Sequence, residues 1–114
     1  MPYYCARLLV VCLVDDGKPR KKNICDYPFV LIEATDYEQA FQRALLLGKQ
    51  RETRYANDKG RPVRWAFVKV EEIKKLGAQL DGVEVGSLLD VLPAETPLPF
   101  GKRFQPRHSK PLLT

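Results

Sequence analysis

The sequence predicts a two-layer α+β fold: about four mainly antiparallel strands in β-β-α-β-β order, with one long helix packed on one face of the sheet. Three observations carry this reading. Residues 3–14 alternate with a period of two and are rich in β-branched and aromatic side chains; apolar or small residues between 37 and 55 recur at spacings of three and four; period-two alternation then returns at 63–70. That succession fits a helix laid on an antiparallel sheet.

In the first strand the even positions Tyr4, Ala6, Leu8, Val10, Cys12 and Val14 are all suited to a core. Residues 15–23 then combine Asp15, Asp16, Gly17, Pro19 and Asn23 with four cations, which is turn chemistry in a solvated loop. Residues 24–34 are apolar again and predict a second strand antiparallel to the first. Pro28 places it at an edge or a bulge, because proline has no N–H to give to a ladder.

Thr35 followed by Glu38 is a capping-box pattern, so a helix is expected to begin there. Ala40, Phe41, Ala44, Leu45 and Gly48 form its apolar stripe, and Tyr55 continues it after Gln50, Arg51 and Glu52, giving one helix of about five turns. Gly48 costs roughly 1 kcal/mol relative to alanine inside a helix, and it marks close packing. A turn at Asn57-Asp58-Lys59-Gly60 leads to the third strand, where Val63, Trp65 and Phe67 share one face and Trp65 is the expected core residue. Residues 71–76 are expected as a helical turn. After Asp81-Gly82, the segments 83–85 and 87–91 are expected as the fourth strand.

A chain of 114 residues closes one core. The expected division is a single domain over 1–92 and a proline-rich basic tail over 93–114, which holds five of the nine prolines. The net charge is +5, but residues 1–98 hold 15 Lys/Arg against 14 Asp/Glu and residues 99–114 hold 4 against none. A nearly neutral body argues against a duplex-binding domain, which presents a basic face to several phosphates. The start of the chain lacks a basic segment before its apolar run, Arg7 interrupts that run, and nothing approaches the ~18 apolar residues of a membrane span. An unprocessed cytoplasmic protein with no membrane association is expected.

Cys5, Cys12 and Cys25 form neither a Cys-x-x-Cys pair nor a complete disulfide set, and they are expected as small buried hydrophobes in a reducing compartment. No metal or cofactor is expected. The one histidine, His108, lies in the tail, so the usual acid–base or nucleophilic constellations are missing and the balance is against an enzyme. Gly48-Lys49 is no phosphate loop, since Arg43 stands where the first glycine belongs and Gln50 where Ser or Thr belongs.

The aromatic-led strand with Ala6-Arg7, the helix start Thr35-x-x-Glu38, Tyr55-x-Asn57-x-x-Gly60-x-x-Val63-x-Trp65-x-Phe67-x-x-Val70 and Asp81-Gly82-x-Glu84-Val85-x-Ser87 follow in an order that resembles domain of unknown function family 4288. The resemblance covers roughly residues 3–91. It implies a bacterial source and a compact α+β domain, and it carries over no catalytic residue.

Two surfaces remain as candidates. The cations Lys18, Arg20, Lys21 and Lys22 of the first loop, with Lys102, Arg103 and Arg107 of the tail, are placed to meet an acidic partner, though such cations also guard a sheet edge against other chains. Glu84, with Arg64 or Arg7, is expected as an ion pair; with Arg64 and Tyr55 it is the candidate lining of a pocket. Tyr55, Trp65 and Phe67 have the spacing of a base-stacking platform, although packing explains it first. The leading expectation is a protein-interaction module acting on a protein partner or its own copy through a sheet edge or face. The alternative is an accessory nucleic-acid binder using the basic loop and tail.

Overall fold

The structure, a computed structural model, describes residues 1–86 and 91–113. It is α+β, with one helix and a sheet of five strands rather than four: β1 (Tyr3–Val14), β2 (Cys25–Asp26), β3 (Phe29–Glu33), α1 (Tyr37–Gln50), β4 (Thr53–Ala56) and β5 (Pro62–Gly77). The order is β2-β1-β5-β4, with β3 also on the outer edge of β1, and every pair is antiparallel. The single strand expected over 24–34 is two short ones, interrupted at Tyr27-Pro28, where the Pro28 carbonyl instead accepts the Leu8 N–H at 2.9 Å.

The alternation of β1 sets the layers. Tyr4, Ala6, Leu8 and Val10 are buried on the side facing α1, and together with Ile32, Ala34, Ala40 and Ala44 they form the core. Burying Tyr4 and Leu8 fully contributes about 1.5–3 kcal/mol each. Tyr37 at the helix start meets Tyr4 edge-on, with ring centroids 5.2 Å apart. Ala6 on the sheet and Ala40 and Ala44 on the helix bring the layers close, and Gly48 brings them closer: a Cβ placed there would lie 2.5 Å from Cε1 and Cε2 of Phe67.

Helix α1 is capped by Asp36, one residue after the expected position. Asp36 Oδ1 accepts the Gln39 N–H at 2.8 Å, and Gln39 Oε1 reaches back to accept from the Thr35 N–H at 2.7 Å. The helix ends at Gln50, so Tyr55 does not continue its stripe but lies in β4. Residues 71–76 are not a helical turn. They extend β5, because β1 offers twelve residues to pair with and the ladder runs the whole length, from Val14↔Val63 to Tyr3↔Gly77. Val68, Glu71 and Leu76 are bulged out of that register, which lets a charged, irregular segment keep Val70 and Ile73 against the core. Residues 83–86 form no strand, and residues 87–90 of the expected fourth strand lie outside the described residues.

Residues 91–113 are exposed, with one 3₁₀ turn at Pro106–His108. Among the described residues no helix is long and apolar enough to cross a membrane.

Candidate functional site

Two turns meet at one end of the sheet. The loop between β1 and β2 is braced internally: Asp16 accepts the Lys18 N–H at 3.0 Å and pairs with Arg20 at 2.5 Å, while Asn23 Nδ2 donates to the Arg20 carbonyl at 2.9 Å. The Arg20 guanidinium, then the Lys18 amide, holds the Asp16 carboxyl below its ordinary range. In the β4–β5 turn, Asn57 Oδ1 accepts from both the Lys59 and Arg61 amides, at 3.0 and 2.9 Å. Gly60 supplies the positive φ of 73° that closes that turn. The Asp15 N–H donates to the Pro62 carbonyl at 2.9 Å, which ties the start of one turn region to the end of the other.

Between them lies an open cleft of about 570 Å³ on the helix side of the sheet. Its floor is Cys12, Val14 and Ile24; Lys18, Arg20 and Lys22 form one wall, and Asn57, Asp58, Lys59 and Arg61 the other. Register places Trp65 beside Cys12, and Val63 beside both Val14 and Tyr55. Because α1 stops near Phe67, this part of the sheet lies beyond the helix. Trp65 is therefore half-buried rather than the centre of the core, Tyr55 is 51% exposed, and the Trp65 Nε1–H donates to the Tyr55 hydroxyl at 3.1 Å.

The near-neutral body is thus strongly divided. Residues 15–24 and 54–64 carry eight cations (Lys18, Arg20, Lys21, Lys22, Arg54, Lys59, Arg61, Arg64) against Asp15, Asp16 and Asp58, while the rest of residues 1–98 carries seven against eleven. A charge total over the linear chain hides this, since the two basic stretches lie some forty residues apart and are joined by the pairing of β1 with β5 at Val14 and Val63 and by the Asp15–Pro62 hydrogen bond.

Of the residues singled out from sequence, Lys18, Arg20 and Lys22 line the cleft, and Lys21 belongs to the same exposed loop. Lys102, Arg103 and Arg107 lie in the exposed C-terminal residues and are not part of the cleft lining. Tyr55 and Arg64 border a second open groove of about 560 Å³ at the β4–β5 hairpin, whereas Glu84 pairs with Lys74 at 3.4 Å, roughly 30 Å along β5 at the rise of a strand. Among the described residues no pocket gathers all three. The sequence reading missed Lys59, which stood there only as part of a turn, and Arg61, which it did not single out. Of the cysteines, Cys5 is buried as expected, Cys12 is half-buried and Cys25 is exposed.

The arrangement defines a two-layer α+β domain with a basic trough at one end of its sheet and the Trp65–Tyr55 pair next to the trough's floor. The family model for a domain of unknown function, DUF4288, matches residues 3–87, and the chain belongs to that family. No curated protein and no solved structure matches it.

Proposed function

We propose that this domain binds single-stranded nucleic acid, with phosphates held between the 15–24 loop and the 57–61 turn and bases laid against Tyr55 and Trp65. The observation that carries the reading is the convergence of Lys18, Lys22, Lys59 and Arg61 around a strip of sheet that the helix leaves open. Cations at that density attract a polyanion and release its counterions, so affinity falls steeply with salt. Tyr55 and Trp65 choose among polyanions. Stacking a base on an aromatic ring contributes about 1–3 kcal/mol, and bases present their faces only when unpaired.

Fluorescence anisotropy with labelled oligo-dT and oligo-U over a salt series tests it. Wild type is expected to bind with log K falling linearly in log salt. Lys22→Ala and Arg61→Ala each weaken binding and flatten the slope by about 0.7, the value per phosphate contact on single strands. Tyr55→Ala weakens binding by about 5- to 150-fold and leaves the slope unchanged. Polyglutamate competing as well as oligo-dT, or Tyr55→Ala binding like wild type, overturns the reading in favour of an acidic protein. So does the absence of binding at low salt.

A further inference from the structure

The face of the sheet away from α1 has its own pattern. The register sets Leu9 beside Lys69, Val11 beside Ala66, and Leu13 beside Arg64, with Arg54 next in that last row. Toward the other end of the sheet, Phe29, Arg7 and Glu72 form one row, followed by Leu31, Cys5 and Lys74. Among the described residues, the segment around Glu84 and Gly86 reaches this face. Glu84 pairs with Lys74, and a Cβ on Gly86 would run into the Phe29 ring. Beyond it Leu9, Val11 and Leu13 are half-buried, and Leu31 is 53% exposed. Arg54 and Arg64 stand directly opposite one another, a like-charge cross-strand pair that weakens a sheet unless anionic groups lie close.

We infer that this face pairs with a second copy of the chain, strands antiparallel, about a two-fold axis between the Leu9 and Val11 rows. Sheets pack face to face with their strands within about 30° of alignment, and a two-fold contact must be self-complementary. That axis lays Val11 over the second copy's Leu9. It also carries the Leu13–Arg64 row onto the second copy's Arg7–Glu72 row, so that Arg64 meets Glu72 twice in each dimer. Both side chains are exposed in the single chain. The alternative two-fold, with strands parallel, would stack the two basic ends on each other and is disfavoured by the same charge division. The contact lies on the opposite side of the sheet from the basic trough and does not depend on the nucleic-acid reading.

The test is light scattering on the full chain after size exclusion, at low and moderate salt, with Arg64→Glu and Glu72→Arg made singly and then mixed. Wild type is expected at twice the 13.0 kDa of one chain, and each single variant at one chain's mass. The equimolar mixture returns to a dimer, because the introduced glutamate of one variant then faces the introduced arginine of the other, and the native Glu72 of the first faces the native Arg64 of the second. Val11→Lys, which leaves those charges alone, is also expected to be monomeric. Circular dichroism checks that every variant is folded. Wild type remaining monomeric at all concentrations overturns the proposal, as do single variants that stay dimeric or a mixture that stays monomeric. Oligonucleotide binding by the monomeric Glu72→Arg variant, which leaves every cation of the basic end in place, reports separately on the trough.

Discussion

Replacing Gly48 by alanine sets two effects of known sign against each other. On helix propensity alone alanine gains about 1 kcal/mol over glycine in a helix interior. At this position the new methyl would lie 2.5 Å from two ring carbons of Phe67, well inside contact distance. Either the ring swings from under the helix, giving up apolar contact with the core, or α1 lifts off the sheet. Overpacking of this kind costs about 1–3 kcal/mol, and so short an approach belongs at the upper end of that range. The net expectation is a loss of about 1–2 kcal/mol, or about 4–8 °C in Tm for a domain of this size. Urea unfolding followed by circular dichroism measures it, and a cycle with Phe67→Leu isolates the cause. In the Phe67→Leu background the clash is relieved, and Gly48→Ala should become neutral or stabilising by up to about 1 kcal/mol. If Gly48→Ala stabilises the wild type, or costs the same in both backgrounds, the close approach of helix and sheet is not what requires the glycine.

Asp36→Ala removes the acceptor of the Gln39 N–H and should cost about 1 kcal/mol in a thermal melt, more than Thr35→Ala at the position the sequence suggested. An equal or larger loss for Thr35→Ala would place the cap where the sequence did. The cysteines should label in order of exposure: Cys25 first, Cys12 more slowly, and Cys5 only as the sheet opens. Burial, then the charge of Glu72, raises the Cys5 thiol above its ordinary value, so at pH 8 little thiolate is present there to react. Mass spectrometry of the labelled protein reads the order, and early modification of Cys5 would contradict the packing of its strand.

The core was legible where one local signal sufficed. The alternation of β1 marked Tyr4, Ala6 and Leu8, and the three–four spacing of Ala40, Ala44 and Gly48 marked the buried stripe of α1. What escaped depended on partners distant in sequence. Glu71, Glu72, Lys74 and Lys75 carry little strand propensity, yet their segment runs along β1 because that strand is long enough to hold it. Trp65 alternates correctly with its neighbours, but its burial depended on how far the helix reaches, and the chain turns after Gln50 rather than beyond Tyr55. The basic trough was half legible. The cations of the first loop were visible as a run, whereas Lys59 and Arg61 join them through the register of β1 with β5.

The central place of β1 bears on how the chain is made. Its outer edge pairs early, since Tyr3 meets Glu33 only thirty residues on, but its inner edge waits for β5, where Tyr3 meets Gly77. At ribosomal rates of about 5–20 residues per second, the 44 residues from Glu33 to Gly77 take roughly 2–9 s. Throughout that interval the nascent chain carries a twelve-residue, mostly apolar strand with one edge unpaired, a template for other chains. The hairpin of β1 with β2 and β3 shields one side, and α1, completed before β5 emerges, supplies a provisional lid over Tyr4 and Leu8. Contact between the newborn strand and a chaperone is best timed to that gap, and it ends when β5 closes the ladder.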